Sequence, residues 1–218
     1  MSTDNPAGHS IPDLVMAWGR GRAVSRVTPQ PVPVPGGFAV PVGAPGTDLR
    51  QVFHTYTAAS LAEAAERMAA PGHQIMIAGP TDDLRDAVPS TWTMDDAGHL
   101  MTTAFNPTAY AAPEGCRLNV ETEGELTVAR AFHFNGDLAA SARLGRTGEI
   151  GVFDKVVTAP NHQRRGLGST LMRALSTTAY HLGMRQGLLV GSDEGRALYE
   201  HLGWTYVSDF PGARSKSA

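Results

Sequence analysis

The segment 160–170, PNHQRRGLGST, places two adjacent arginines and two glycines directly before a stretch rich in leucine and alanine. That stretch predicts a helix, so the glycines stand at a helix start. A helix start presents unpaired backbone N–H groups and a partial positive charge. Gly166 and Gly168 also let the backbone approach a ligand closely. The pattern therefore predicts an anion-binding loop.

The charge around this loop supports an anionic ligand. From Lys155 to Ser192 the chain has five lysine or arginine residues and no aspartate or glutamate, whereas the whole chain has a formal net charge of −3. Such a local excess of positive charge fits a polyanion. The alternative is an ordinary solvated helix face. The loop lacks the G-K-[ST] of a Walker loop and the G-x-G-x-x-G of a dinucleotide loop, which leaves another phosphate-bearing ligand.

The elements that must position the loop form a regular succession after Cys116. Glycine turns separate four strand-length segments, 116–124, 125–136, 137–148 and 149–158. A helix at 166–182, a strand at 185–192, a helix at 193–203 and a strand at 204–210 follow, with Leu167, Leu171, Leu175 and Leu182 on one face of the first helix. Cys116 is expected to be a buried structural thiol, and the tail 211–218 is expected to be disordered.

The first half of the chain predicts a separate α/β domain. A short helix is expected at 10–18, ending at Gly19 and Gly21, followed by an extended proline-rich connector at 28–37. The next elements expected are an edge strand that contains Pro41, a strand at 49–56, a helix at 57–69 capped by Thr57, a strand at 74–78, a helix at 81–87 and a strand at 100–105. The predicted division is 1–112 and 113–218, because prolines and glycines interrupt the chain around 106–115.

The order of elements occurs twice. Helix, strand, helix and strand at 57–69, 74–78, 81–87 and 100–105 repeat the order found at 166–182, 187–191, 193–202 and 204–210. This predicts a degenerate internal repeat. The alternative is that alternating helices and strands recur by chance.

The second half resembles the GNAT superfamily of acyl-CoA-dependent N-acetyltransferases. Gln163-Arg164-Arg165-Gly166-Leu167-Gly168 resembles the Q/R-x-x-G-x-G/A signature of the family, and GRALYEHLGW at 195–204 resembles its A-L-Y-x-x-x-G-F/W motif. The resemblance covers about residues 116–210, and residues 1–112 carry no matching motif. It implies an α/β fold with a GNAT-like mixed twisted sheet and helices on both sides. An N-terminal α/β domain, with a degenerate GNAT-like half as one alternative, precedes it.

The resemblance also implies the site. The backbone N–H groups from Arg164 to Ser169 would bind the pyrophosphate of coenzyme A, and the backbone from Val156 to Thr158 would bind its pantetheine arm. The Val156 amide would donate to the oxyanion, Tyr199 would be the general acid, and Ser192 stands where the family often has Asn. The implied cofactor-binding residues are Val156, Val157, Thr158, Gln163, Arg164, Arg165, Gly166, Leu167, Gly168, Ser169 and Ser192.

Three residues are candidates for a general base, and each has a structural alternative. Glu149 precedes the strand that leads to the loop and is also a plausible turn residue. Asp154 lies in that strand and is also a plausible ion-pair partner. His133 lies on a neighbouring strand and is also a plausible half-buried imidazole. The resemblance does not require a base, because some amine arrives neutral.

The resemblance implies an enzyme that transfers an acetyl group from acetyl-CoA to a primary amine, most readily of a small molecule. A protein or peptide amine and a non-catalytic acyl-CoA sensor are the alternatives. A hydrophobic fraction of 42% with 18% charged residues is typical of soluble globular proteins. We expect a cytoplasmic monomer or homodimer with no nucleic-acid or membrane partner. No metal site is expected, because the one cysteine and the scattered histidines lack ligand spacing.

Overall fold

The structure is a computed structural model that describes residues 8–44 and 47–216. Five helices lie within these residues: Ile11–Arg26 (α1), Ala58–Arg67 (α2), Thr81–Ala87 (α3), Leu167–His181 (α4) and Asp193–His201 (α5). The strands of the first half are Val32–Val34 (β1), Gly37–Ala44 (β2), Thr47–Phe53 (β3), His73–Ile77 (β4), Trp92–Met94 (β5) and Gly98–Ala104 (β6). The later strands are Cys116–Glu123 (β7), Leu126–His133 (β8), Leu138–Thr147 (β9), Ile150–Thr158 (β10), Gln186–Ser192 (β11), Thr205–Asp209 (β12) and Gly212–Ser215 (β13).

The described residues divide into two compact units. The first unit comprises those of Met1–Gly19, Thr28–Met101 and Val190–Ala218, and the second comprises Arg20–Val27 and Thr102–Leu189. These units are defined by which residues contact one another, and their boundaries differ from the predicted boundary between residues 112 and 113. The division into domains at that boundary stays a prediction.

The predicted mixed α/β class is confirmed. A six-stranded sheet has the order β1-β2-β3-β4-β13-β5, and a seven-stranded sheet has the order β12-β6-β11-β10-β9-β8-β7. Both contain a parallel pair joined through a helix: β3 with β4 through α2, and β10 with β11 through α4. In each sheet, the strand beside the parallel pair comes from the other half of the sequence: β13 lies next to β4, and β6 lies next to β11.

The two strand orders support the internal repeat and change one of its correspondences. Read from β1, the first sheet matches β8-β9-β10-β11-β6-β12 of the second, so that β5 and not the strand near 100–105 corresponds to β12. The helix that follows each parallel pair leads to the corresponding last strand: α3 precedes β5, and α5 precedes β12. The repeated topology is therefore more than a recurrence of helix and strand order.

Each unit has its own core. In the first unit α2 and β4 bury an apolar cluster that includes Leu61, Ile75 and Ile77. In the second unit α4 packs against β8, β9 and β10 and buries Leu171 and Leu175. The prediction that Leu182 shares the buried face was wrong, because Leu182 caps the end of α4 and is 38% exposed.

The predicted end of the first helix was wrong, because α1 continues through both glycines. A β-carbon on Gly19 would overlap the ring of Phe38, and one on Gly21 would overlap the side chain of Val152. The two glycines therefore let Phe38 and Val152 pack closely against the backbone of α1. Tertiary contact outweighs their poor helix propensity.

Two further predictions were wrong for the same kind of reason. The connector contains β1, and β2 lies between β1 and β3 instead of at an edge. A register shift between Pro41 and Ala44 accommodates the proline. The tail predicted to be disordered contains β13, which pairs with β4 and β5. Its Ala213 is fully buried.

Candidate active site

The loop before α4 has a backbone that favours glycine. The chain leaves β10, makes a 3-10 turn at Pro160–His162 and enters the loop with Arg164 at a φ of 61°. Gly166 is the N-cap residue of α4, with a φ of 74° and a ψ of 4° in the left-handed region. A β-carbon on Gly166 would meet no atom within 4 Å. Gly166 is therefore needed for its backbone conformation, and open space lies beside it.

The first turn of α4 keeps its amides available. No side chain caps this helix, and Gly166 O accepts from the Thr170 N–H at 3.0 Å as the helix begins. Gln163, Arg164 and Arg165 are exposed. An uncapped helix start with exposed arginines before it is suited to a phosphate-bearing ligand.

A cleft adjoins this helix start. It has a volume of about 450 Å³. Its lining residues come from the segment between β6 and β7 and from the first turns of α4: Ala109, Tyr110, Ala111, Gly166, Ser169, Thr170 and Arg173. Gly166 and Ser169 are the predicted cofactor-binding residues that it includes.

The strand before the loop is distorted where the predicted oxyanion donor lies. On β9, Arg143 faces Asp154 and Ser141 faces Val157, so Lys155 and Val156 together oppose one residue. This is a β-bulge, with Lys155 at a φ of 51°. The register of β10 with β11 covers only Ile150–Val152. The backbone from Val156 to Thr158 therefore lies beyond the paired part of β10 on that side.

Asp154 is an ion-pair partner in the structure. Arg26 donates to both of its carboxylate oxygens, at 2.6 and 2.9 Å, and the Ser25 hydroxyl donates at 2.8 Å. Burial opposes ionisation of Asp154, but the hydrogen bonds and charge of Arg26 outweigh it and lower its pKa. A carboxylate engaged in this way is a weak base and a strong anchor for β10.

The other two candidate bases lie away from the bulge. Glu149 is exposed in the turn before β10, and the seven residues to Val156 span roughly 23 Å of extended strand. His133 ends β8, and its ring centroid lies 5.2 Å from that of His162 in the 3-10 turn. The structure therefore places His133 beside His162, which lies six residues after Val156 along the chain.

Tyr199 lies in α5, and Ser192 is the N-cap residue of that helix; both are in the first unit. Tyr199 is buried, 9% exposed, and its ring lies 6.0 Å from that of Trp204. The Ser192 hydroxyl accepts from the Gly195 N–H at 3.3 Å and caps the helix. The structure thus shows Ser192 as a helix cap, and the cofactor-binding role of Ser192 and the catalytic role of Tyr199 stay predictions.

Four side chains at or near the site were not among the predicted site residues. His162 is 8% exposed, with its Nε2 3.9 Å from an Asp137 oxygen, and its Nδ1 has no hydrogen-bond partner among the described residues. Arg26, Tyr110 and Arg173 are the others. Arg173 lies in the span without acidic residues, and that span was a sequence indication of its role. Arg26 and Tyr110 are far from the loop in the sequence, and only the folded chain brings them near it.

Solved structures with the same fold cover most of the chain. A GCN5-related N-acetyltransferase from Kribbella flavida is 12% identical, with 91% of this chain and 94% of the other covered and a TM-score of 0.65. A GCN5-related N-acetyltransferase from Sphaerobacter thermophilus is 15% identical, with 82% and 76% covered and a TM-score of 0.60. A tandem GNAT protein from the clavulanic acid biosynthesis pathway is 16% identical, with 84% and 80% covered and a TM-score of 0.55. Identities this low show the shared fold.

The family evidence comes from the sequence of the second half. Residues 120–206 match the profile of the acetyltransferase (GNAT) domain, whereas no curated protein matches the chain significantly. The profile match, and not the shared fold, places this part of the chain among the acyl-CoA-dependent acyltransferases. Its domain at residues 120–206 belongs to the GNAT acetyltransferases. None of the helices in the described residues is both long enough and apolar enough to cross a membrane.

Proposed function

We propose that this protein transfers the acetyl group of acetyl-CoA to the primary amine of a small molecule. The observation that carries the proposal is the uncapped start of α4 behind the left-handed Gly166. Its amides, with the exposed Arg164 and Arg165, suit the pyrophosphate of coenzyme A. The open space beside Gly166 gives that group room.

The residues have separate roles in this proposal. The backbone from Arg164 to Ser169 binds the pyrophosphate, with Gln163 at its start, and the backbone of Val156, Val157 and Thr158 binds the pantetheine arm. The Val156 amide, in the bulge of β10, donates a hydrogen bond to the thioester oxygen as negative charge develops there. Bound acetyl-CoA supplies the activated acyl group.

Two proton movements complete the reaction. The Tyr199 hydroxyl donates its proton to the sulfur that leaves. With ordinary pKa values of about 10 for a phenol and about 8.5 for a thiol, this transfer is uphill by roughly 2 kcal/mol, a small cost for a proton transfer within a site. We assign no side chain as the base. Glu149 is distant, Asp154 is held by Arg26 and His133 lies at the loop, so the acceptor attacks as the neutral amine. The proton that its nitrogen loses as the amide forms passes to solvent, and Tyr199 regains its own proton from solvent.

The small-molecule acceptor rests on a likeness. The tandem GNAT protein of similar fold belongs to the biosynthesis of clavulanic acid, which is a small molecule. We take the acceptor class, and not the acceptor, from it. We also propose that the protein is cytoplasmic, because acetyl-CoA and small-molecule amines are both available in that compartment.

The experiment is a thiol-release assay with acetyl-CoA over a panel of small amines and a panel of peptides. Release with small amines supports the proposal, and release with peptides alone would assign a peptide acceptor. Tight binding of acetyl-CoA with no release over either panel would identify a sensor. Tyr199→Phe should lower kcat by about 100-fold, the size expected for loss of a general acid, and leave the Kd for acetyl-CoA unchanged.

A matched control is available for Tyr199. Tyr206 lies on β12 and donates to Asp209 at 2.9 Å, and the proposal gives it no catalytic role. Tyr206→Phe should keep kcat within about twofold of the original, a change of less than 1 kcal/mol. Equal loss of kcat in both variants would contradict the assignment of Tyr199.

A further inference from the structure

A buried histidine in β6 joins three elements of the first unit and has no part in the function proposed above. The side chain of His99 is 9% exposed, and its Nε2 lies 2.6 Å from Asp193 Oδ1. Its Nδ1 lies 3.6 Å from Asp209 Oδ1 and has no hydrogen-bond partner among the described residues. His99 therefore connects β6 to the first residue of α5 and to the last residue of β12.

The bond to Asp193 is the stronger of the two contacts. A carboxylate only accepts, so the proton of this bond lies on Nε2 of His99. A hydrogen bond to a charged group is shorter and stronger than a neutral one. Asp209 Oδ1 already accepts from the Tyr206 hydroxyl at 2.9 Å. Loss of the bond to Asp193 would leave a buried imidazole without that partner, which is costly, so the bond fixes both side chains.

The ring of Tyr199 lies over the turn of α5 that contains Asp193. A β-carbon on Gly195 would be 3.0 Å from Cε2 and 3.5 Å from Cζ of Tyr199. Because Cζ carries the hydroxyl, the phenol end of the ring lies beside the first turn of the helix. The position of that hydroxyl therefore depends on the position of this turn.

The remaining contacts of α5 hold it only weakly. Tyr199 is the buried residue of this nine-residue helix, so apolar burial fixes little of it. Arg196 lies 4.8 Å from the centre of the Tyr206 ring and donates to Glu200 at 2.7 Å. The side chains of Arg196 and Glu200 are 40% and 48% exposed, and exposed ion pairs contribute little. The bond from the buried His99 is thus a main anchor of the start of α5.

We propose that His99 is a positioning residue for Tyr199. Its hydrogen bond to Asp193 fixes the first turn of α5 and so holds the Tyr199 hydroxyl in place for the sulfur that leaves. The inference rests on the proposed function, in which Tyr199 is the general acid. A proton donor must lie within hydrogen-bond reach in the transition state, and a displacement of about 1 Å can cost as much as about 100-fold in rate. The donor is needed only as the carbon–sulfur bond breaks, so loss of His99 lowers kcat and spares binding.

The first test replaces the histidine and follows thiol release with the small amine that reacts fastest. His99→Leu should lower kcat by about tenfold and leave the Kd for acetyl-CoA and the KM for the amine within about twofold. His99→Gln places its amide nitrogen near the former Nε2 and should restore most of kcat. His99→Asn places its amide near the former Nδ1 and should lose as much as His99→Leu. Unchanged kcat in His99→Leu, or no rescue by His99→Gln, would overturn the inference.

The second test removes the other partner of the bond. Asp193→Ala should lower kcat by the same factor of about ten as His99→Leu, and the double variant should lose no more than either single variant, because both remove one interaction. The side chain of Asp193 is 74% exposed, so this variant folds even if the loss of a buried histidine unfolds the chain. Unchanged kcat in Asp193→Ala would overturn the inference.

The third test asks whether His99 acts through Tyr199. In the Tyr199→Phe protein, a further His99→Leu change should alter kcat by less than about twofold, because the hydroxyl that His99 positions is already absent. A merely structural role would lower kcat by the same factor in both backgrounds, and that result would overturn the inference.

A second histidine of the same unit provides the matched control. His73 lies in β4, and its Nδ1 is also buried without a hydrogen-bond partner among the described residues. His73→Leu should keep kcat within about twofold, and a loss equal to that of His99→Leu would contradict the inference.

The failure of the inference can be told from the failure of the proposed function. No thiol release by the original protein, or full kcat in Tyr199→Phe, refutes the proposed function or its acid and the inference with it. A loss of about 100-fold in Tyr199→Phe together with unchanged kcat in His99→Leu and Asp193→Ala refutes the inference alone.

Discussion

The two strand-to-helix junctions of the repeated topology differ in how the helix begins. At the junction of β3 with α2, Thr57 Oγ1 accepts from the Ser60 N–H at 3.1 Å, and Ser60 Oγ accepts from the Thr57 N–H at 2.9 Å. This capping box occupies two backbone donors. At the junction of β10 with α4, Gly166 stands at the same position and no side chain caps the helix. Only the second junction keeps its amides for a ligand.

Charge separates the same two junctions. The cleft beside α2, of about 600 Å³, is lined by Asp83 and Asp86. Tyr56 donates to Asp83 at 3.0 Å, and burial, with that bond and the carboxylate charge, raises the pKa of Tyr56 to about 12. The cleft beside α4 contains Arg173 instead. A polyphosphate would be repelled at the first junction and attracted at the second.

The helix that follows each parallel pair continues the difference. The seventh residue of α5 is Tyr199, the proposed acid, whereas the seventh residue of α3 is Ala87. One topology thus carries two junctions with opposite chemistry. Under the proposed function, caps, charge and one hydroxyl, and not the strand order, distinguish the junction proposed for acyl transfer from the other junction.

The largest effect is expected in the sheet that holds the first junction. Removal of residues 211–218 deletes β13, which exposes one edge of β4 and leaves β5 without its partner strand, so the free energy of unfolding should fall by about 4 kcal/mol from lost hydrogen bonds and apolar burial. Urea denaturation followed by tryptophan fluorescence measures the change. Removal of residues 216–218 alone keeps β13 and serves as the control. Equal stability of both truncations would show that β13 contributes nothing.

The next effect breaks the second junction by making it resemble the first. Gly166→Asp puts a carboxylate at the open helix start, where it competes with phosphate for the amides, and should weaken acetyl-CoA binding by about 100-fold. Gly166→Asn has the same size without the charge and tolerates a positive φ. Calorimetry should show a much smaller loss for Asn. Equal losses would attribute the effect to the backbone and not to phosphate.

The anchor of β10 should contribute less. Asp154→Asn removes the ion pair with Arg26, which is partly exposed, and should lower the free energy of unfolding by about 2 kcal/mol at neutral pH. Because the folded pKa of Asp154 is lowered, this stabilisation is present above the unfolded value near 4 and is lost as pH falls through the folded pKa. Urea denaturation at several pH values measures it.

An exposed ion pair provides the control for Asp154. Glu121 accepts from Arg130 at 2.9 Å on the surface of β7 and β8. Glu121→Gln should change the free energy of unfolding by less than about 0.5 kcal/mol. A difference between the Asp154 variant and the original protein that persists undiminished at the lowest pH would contradict the assigned sign.

The smallest effect tests the first junction alone. Thr57→Ala removes the cap of α2 and should lower the free energy of unfolding by about 1 kcal/mol, with no change in the Kd for acetyl-CoA. Thr57→Ser keeps the hydroxyl and should retain stability. Weaker acetyl-CoA binding in Thr57→Ala would mean that the first junction takes part in binding, and the contrast between the junctions would fail.

Local patterns predicted several features in both halves of the chain. Several features depend on residues within a few positions of one another: the caps at Thr57 and Ser192, the apolar face of α4 and the turns after Cys116. The glycine signature predicted the loop for the same reason. The role of Asp154, in contrast, could not be decided from the sequence, which allowed either a general base or an ion-pair partner. Its partner Arg26 lies 128 positions away in the sequence.

The sequence by itself determined the acetyltransferase signature, the basic span around it and most of the helices, since these follow from near neighbours along the chain. Only the tertiary structure decided that α1 runs through its glycines, that β13 completes the first sheet, that β10 bulges at Val156 and that Tyr110 meets Arg173 across a cleft. Those features depend on strand pairing and close packing between distant residues. Their free energy exists only once the chain has brought those residues together.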